Sequence, residues 1–413
     1  MRIILAVGLA AAAAVTALAA TQDVARLNDL GIAAYDQKDY ATAVENFRAA
    51  YARSGSSKTL ERNLTNALQA LANEQAESSN YDAAITNLEQ AISIAPDNVA
   101  PFVQLGACFL RQNRVSDAIF RLEEAIEIEP GNLDAHELLG KAYYEDNDLP
   151  SARAQWDYVL QVDPSRTKLQ ELYEKAFREE SVEWDFQRKS TRNFSLSYPG
   201  EVPYDVRNRL VRILETAYRE VGTQFGRVYP PDPVQVIFYG PDQFAQATQM
   251  DGHVGALYDG KIRSPLTDER GSYLDEEEMR RRLTHEYVHV IVRQLAGGNV
   301  PWWINEGLAE TLSSQLTDAD RAEVAKAYAE GHTYPLSQLE GDLLREFDAK
   351  QLRYAYRQAH VTIAYLWQRY GRTRLQGLMA DLARGVPPQE AIRNSYHISY
   401  EQLERAVQQQ FGR

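Results

Sequence analysis

Between residues 24 and 164 the apolar positions recur at a fixed interval. Ala84, Ala118 and Ala152 stand 34 residues apart, and Pro96, Pro130 and Pro164 keep the same spacing. A period of that length predicts stacked helix-turn-helix units rather than one closed core. The units carry a small residue in the first helix (Gly31, Gly106, Gly140) and a large one in the second (Phe47, Leu88, Leu122, Trp156). The small residue lets two backbones approach, and the large one fills the space between hairpins. The first unit, with Ala43 and Ala50, is offset by 41 residues from the next, which places a seven-residue insertion near Ser54 to Leu64.

The pattern changes after Pro164. Residues 165–190 are charged and helical at their start (KLQELYEKAFREE), as expected of a capping helix that leads through a linker into a second domain. Phe194 to Tyr198 alternates as a strand does, and Asp205 to Phe225 has helical periodicity. Pro230-Pro-Asp-Pro233 breaks the chain before Val234 to Tyr239, a β-branched apolar run that reads as a buried strand. Gly255 to Arg263 predicts a turn and a strand, with Asp259-Gly260 at the bend. Asp275 to Ala296 is a helix opened by acidic residues and closed by Gly297-Gly298. Residues 191–413 therefore read as an α+β domain.

The first nineteen residues stand apart: Arg2, a long Ala-rich apolar run, then Ala17-Leu18-Ala19 ahead of polar Thr21. This is the pattern of a cleaved secretory signal peptide, with an uncleaved anchor as the alternative. It predicts an exported protein, periplasmic or secreted, with no membrane span after cleavage. Cys108 is the single cysteine, so no intramolecular disulfide forms, and it reads as a small buried helix residue. With 58 acidic against 44 basic residues the formal charge is −14, which argues against nucleic acid as a partner.

The candidate chemistry lies on the helix from 275 to 296. His285 and His289 are four apart, so both imidazoles project from one face and can take adjacent positions on a tetrahedral zinc. Glu286, about 100° further round the helix, is kept off the metal but can reach a neighbouring water as general base. Catalytic zinc needs a third protein ligand, and Glu306, in Pro301-Trp-Trp-Ile-Asn-Glu-Gly-Leu-Ala-Glu310, is the evident candidate. Glu310 shares a helical face with Glu306 and can accept a hydrogen bond from a ligand histidine; an exposed carboxylate is its alternative reading. A metzincin pattern is excluded, because Val292 and Leu295 stand where it requires Gly and His.

Two resemblances follow. The register from about Val24 to Pro164 resembles tetratricopeptide repeats, arrays that hold peptides or proteins on their concave face. The elements HEYVH and WWINEGLAE resemble those of gluzincin metallopeptidases, in particular the peptidase MA-like domains. That likeness takes in Gly255 to Arg263, Tyr356-Arg-Gln358 and Tyr365 to Gly371, over roughly Phe194 to Gly412. Together they imply an all-α tetratricopeptide-repeat solenoid followed by an α+β zincin-like metallopeptidase domain. They further imply one zinc ion per chain on His285, His289 and Glu306, with Glu286 as catalytic base and a peptide bond as target. Tyr356, in the Tyr-x-Gln element, becomes the candidate oxyanion donor, and His360 follows on the same helical face. The strand Lys261, Ile262 and Arg263 would pair with extended substrate, an ordinary hairpin being the alternative.

No Gly-x-Met-Glu-Asn-like element is present, which favours an endopeptidase over an aminopeptidase. Two other functions stay open. One is a catalytically silent repeat scaffold of the cell envelope. The other is a zinc hydrolase acting on cell-wall peptides.

Overall fold

The computed structural model describes residues 21–54, 57–240, 242–250, 256–268, 270–341, 343 and 347–412. The expected signal peptide, 1–19, lies outside them, as does Gly255 at the start of the predicted turn. The chain divides into two compact units. The first holds the described residues up to Arg111 with Asp117–Leu139, and the second holds Gln112–Ser116 with Gly140–Arg413.

The first unit is helical. It contains α1 (21–36), α2 (Tyr40–Ser54), α3 (Lys58–Glu77), α4 (Tyr81–Ile94), α5 (Val99–Arg111), most of α6 (Val115–Ile128) and the start of α7 (Leu133–Glu145). α2 packs on α3, α3 on α4 and α4 on α5. Periodic Ala84 and Ala118 are fully buried. A Cβ added to Gly106 would lie 2.5 Å from Leu122 Cγ, and one on Gly31 would lie 2.6 Å from Phe47 Cε1. The small-plus-large pairs are therefore steric necessities of the stack. The seven extra residues lengthen a helix: α3 has 20 residues where α5 and α7 have 13.

The second unit begins with the end of α7 and α8 (Leu149–Val162). There Trp156 packs over Gly140 and joins Tyr144, Leu149 and Leu169 in one core. α9 (Thr167–Glu183) leads into a sheet ordered β1 (Gln187–Ser190), β2 (Phe194–Tyr198), β3 (Val234–Tyr239), β5 (Ile262–Pro265), β4 (Leu257–Tyr258). β2 and β3 are parallel, as are β3 and β5, whereas both outer pairs are antiparallel. β3 is buried throughout because both its faces are covered. Val234, Val236 and Phe238 meet residues of α10 (Tyr204–Gln224) and α12 (Glu276–Ala296). Ile237 and Tyr239 meet α11 (Gln243–Thr248) and Val182 of α9.

Two boundaries differ from the sequence reading. β1 falls inside the stretch read as a linker, so the sheet starts before residue 191. From Gly140 onward the last hairpin of the repeat pattern and α9 belong to the same compact unit as the sheet. Their charges explain it. Arg263 on β5 pairs with Glu179 and Glu183 of α9 at 2.8 and 3.4 Å. Lys261 donates to Asn147 Oδ1 at 2.7 Å and lies 3.9 Å above the Tyr144 ring. A period-34 pattern records helix spacing and is blind to such pairings.

α12 is capped by Asp275, whose side chain accepts from the Glu278 amide, and ends at Gly297 with φ of 60°. α13 (Trp302–Ser313) packs between α12 and α15 (Ala349–Ala383), with α14 (Asp318–Glu330), α16 (Pro388–Tyr396) and α17 (Tyr400–Phe411) around them. α15 breaks at Gly371, where φ is 72°.

Candidate metal centre

α12 and α13 lie side by side, and each presents its chemistry toward the other. His285 Nε2 is 3.3 Å and His289 Nε2 is 3.6 Å from the same oxygen of Glu306, Oε2. The opposite ring nitrogens face supports. His289 Nδ1 is 2.9 Å from Asn305 Oδ1, an oxygen that can only accept. The ring therefore carries its proton on Nδ1 and leaves the Nε2 lone pair toward Glu306. His285 Nδ1 lies 3.4 Å from Glu310 Oε1.

The three side chains fit a metal ion. One ligand atom from each of His285, His289 and Glu306 lies within 4.8 Å of the others. The separations of 3.3 and 3.6 Å are long for hydrogen bonds. They match the edge, roughly 3.4 Å, of a tetrahedron with metal–ligand bonds of about 2.0–2.1 Å. His285 Nδ1 is buried with no hydrogen-bond partner, as a support awaiting tighter closure would be.

Electrostatics agree with a site built for a cation. Burial disfavours a proton on His285, yet Glu306, Glu310 and Glu286 outweigh it and push the imidazole up to about 10. Burial alone would raise Glu306, but the two histidines hold it below the usual carboxylate range. Glu310 is likewise lowered, burial being outweighed by His285 and His360. Glu286 is raised, chiefly by burial, which makes it more basic than an exposed carboxylate.

The other expected residues divide. Tyr356 on α15 stacks edge-on against Trp302, with ring centroids 4.9 Å apart. Burial and the charges of Glu306, Glu286 and Glu310 push its phenol far up, so it remains a proton donor. It borders a polar cavity of about 1420 Å³ that also touches Thr284, Glu310, Arg281 and Arg357 but not His285, His289 or Glu306. His360, expected beside it as a second oxyanion donor, is 2% exposed and sits behind Glu310. It does not line that cavity.

Lys261, Ile262 and Arg263 are not a substrate-binding edge. At Ile262 and Arg263 β5 is paired with β3 on one side and β4 on the other, so the backbone there has no free edge for strand addition. Their side chains are buried, Ile262 in the main core and the two cations against α9. The bend at Asp259-Gly260 gave a strand here but could not say which of its edges was covered.

Two positioning residues carry signals that spacing alone does not rank. Asn305 directly precedes Glu306 and supports His289. Gly307 follows it, and a Cβ there would lie 2.6 Å from the Ala359 carbonyl oxygen and 2.5 Å from Ile363 Cγ1. Only a glycine lets α15 approach α13 so closely, and that approach brings Tyr356 and His360 to the site.

Fold and site together define a helical-repeat protein continued by an α+β domain with paired histidines on one helix. The Peptidase MA superfamily model matches residues 272–411, from just before α12 to α17. The tetratricopeptide-repeat model matches 75–123 and 115–176. The chain thus carries tetratricopeptide repeats, scaffolds for protein interaction, and a C-terminal domain of the Peptidase MA superfamily. No curated protein matches it. Solved structures similar to it are tetratricopeptide-repeat proteins. The first such domain of Spaghetti (RPAP3), bound to an HSP90 peptide, is 17% identical over 28% of this chain and 95% of that one, with a TM-score of 0.28. A MamA mutant is 19% identical over 38% and 88%, with a TM-score of 0.31. A thermophilic tetratricopeptide-repeat protein of Thermus thermophilus is 21% identical over 38% and 82%, with a TM-score of 0.27.

Proposed function

We propose that this is an exported zinc-dependent metallopeptidase whose repeats recruit a protein substrate or partner. The observation that carries it is the convergence of His285 Nε2 and His289 Nε2 on one Glu306 oxygen, with buried Glu286 among the same charges. His285, His289 and Glu306 would hold one zinc per chain. Zinc, when bound, supplies Lewis acidity toward water and toward the scissile carbonyl.

The chain's own groups supply the rest. Glu286, raised by burial, accepts the proton of the attacking water. The water oxygen bonds to the carbonyl carbon, the C–N bond breaks, and Glu286 returns the proton to the departing amine. Tyr356 donates from its hydroxyl to the oxygen that gains negative charge. Asn305 and Glu310 hold the two imidazoles in register. Export rests on the leader pattern of residues 1–19, and recruitment on the repeat array.

The test is the metal content of the purified chain by elemental mass spectrometry, beside a His285→Ala/His289→Ala variant and Glu286→Gln. About one zinc in wild type and in Glu286→Gln, none in the double variant, and cleavage of a peptide library by wild type alone is the expected result. A wild type that stays metal-free after dialysis against zinc refutes the reading.

A further inference from the structure

His360 lies one helical turn beyond Tyr356 on α15, and it is 2% exposed. Its Nδ1 is a buried ring nitrogen with no hydrogen-bond partner. Burying such an atom unpaired is unfavourable, so what it faces matters. It faces Glu310, 4.0 Å from Oε2. The other oxygen of the same carboxylate, Oε1, is 3.4 Å from His285 Nδ1. One carboxylate therefore stands between a metal-binding imidazole and a second imidazole that has no other bond at that nitrogen.

This placement is fixed by backbone packing. Glu310 is on α13, and α13 meets α15 at Gly307, where even a methyl group would strike the Ala359 carbonyl. Ala359 immediately precedes His360, so this tight contact of the two helices lies beside the pair. The nearby cation on α15, Arg357, is committed to Asp320 at 2.9 Å and Glu323 at 3.2 Å. Closing 4.0 Å to an N–H···O distance of about 2.9 Å needs a carboxylate shift of roughly 1 Å.

We propose that His360 is a positioning residue of the metal centre, which steadies Glu310 from behind and through it the ring of His285. This rests on the metal reading above. It reassigns a histidine expected from the sequence to meet the substrate. A metal on His285 Nε2 leaves its Nδ1–H to donate to Glu310, and a carboxylate tethered at its other oxygen accepts in one orientation only.

The test uses the full chain with zinc and with cobalt as probes. Affinity is measured by chelator competition, and the cobalt absorption spectrum reports ligand geometry. The variants are His360→Phe, His360→Gln, Glu310→Gln and Glu310→Gln/His360→Phe. A direct support of a ligand histidine is worth about 10–100-fold in metal affinity, so a group one step further out should be worth about 3–10-fold. His360→Phe is expected to weaken zinc by that factor and to shift the cobalt bands. His360→Gln, which keeps a donor, should recover most of both, and in the Glu310→Gln background His360→Phe should cost nothing more.

Unchanged affinity and spectrum in His360→Phe would overturn the proposal, as would an equal loss with and without Glu310. If His360→Phe does not fold, His360→Ala replaces it: an affinity several-fold weaker than wild type that His360→Gln restores supports the proposal, and an affinity and spectrum equal to wild type overturn it. Absence of zinc from wild type would instead refute the metal reading itself, and the positioning role with it.

Discussion

Arg263 Nη2 lies 2.8 Å from Glu179 Oε2, with both side chains 1% exposed, and this pair binds strand β5 to helix α9. Around it Tyr239 donates to Glu183 at 2.6 Å, and Lys261 donates to Asn147. Buried charges are tolerated only as a set. Removing one partner leaves the other stranded, at about 3–5 kcal/mol, whereas apolar replacement of both is far milder. Arg263→Met and Glu179→Met should each lower the melting temperature of the second unit by several degrees. The Arg263→Met/Glu179→Met pair should lose clearly less than the sum of its two single substitutions. Calorimetry across this mutant cycle gives the coupling, and strict additivity would contradict it.

The same network predicts where the chain can be cut. A chain starting at Leu133 keeps Tyr144, Asn147, Trp156 and Glu179 with the sheet. It should give a cooperative melt and bind zinc as the full chain does. A chain starting at Ser165 lacks Tyr144 and Asn147 and exposes Lys261, so it should aggregate or melt without a transition. Circular dichroism and light scattering on the two fragments distinguish these outcomes.

Metal uptake should depend on pH with a definite sign. Without metal, His285 is raised from 6.5 to about 10, so at pH 8 zinc must displace its proton. Apparent zinc affinity should rise with pH by up to about tenfold per unit below that value, with about one proton released in calorimetry across buffers. The chelated protein should behave oppositely. A raised histidine pKa stabilises the fold below 6.5, and that contribution fades as pH rises through about 10. The melting temperature of chelated protein should therefore fall over that window, and the zinc-loaded protein should lack this component.

Gly307 and Asn305 separate packing from ligand support. Gly307→Ala forces α13 from α15 and should cost about 1–3 kcal/mol of stability. Zinc affinity should weaken with it, because Glu306 and Glu310 sit on the displaced helix. Asn305→Ala disturbs no such contact and should leave stability nearly unchanged while weakening zinc about 10–100-fold. Denaturation and chelator competition on both variants should show this contrast.

The sequence by itself determined the repeats, the helix with His285, Glu286 and His289, and the strands β2 and β3, because these depend on intervals along one element. Periods of 34, 3.6 and 2 survive in sequence since each side chain's direction is set by its own backbone. What depends on a neighbour was settled only by tertiary structure. Whether Lys261 and Arg263 met substrate or protein turned on β4 covering the edge and α9 covering the face. Whether His360 faced the open cleft or the back of Glu310 turned on how closely Gly307 lets α15 approach. The unit boundary at Leu139 turned on which carboxylates two buried cations found. Spacing fixes the direction of a side chain, but its partner comes from another part of the chain, and the free energy of burying charge decides which one.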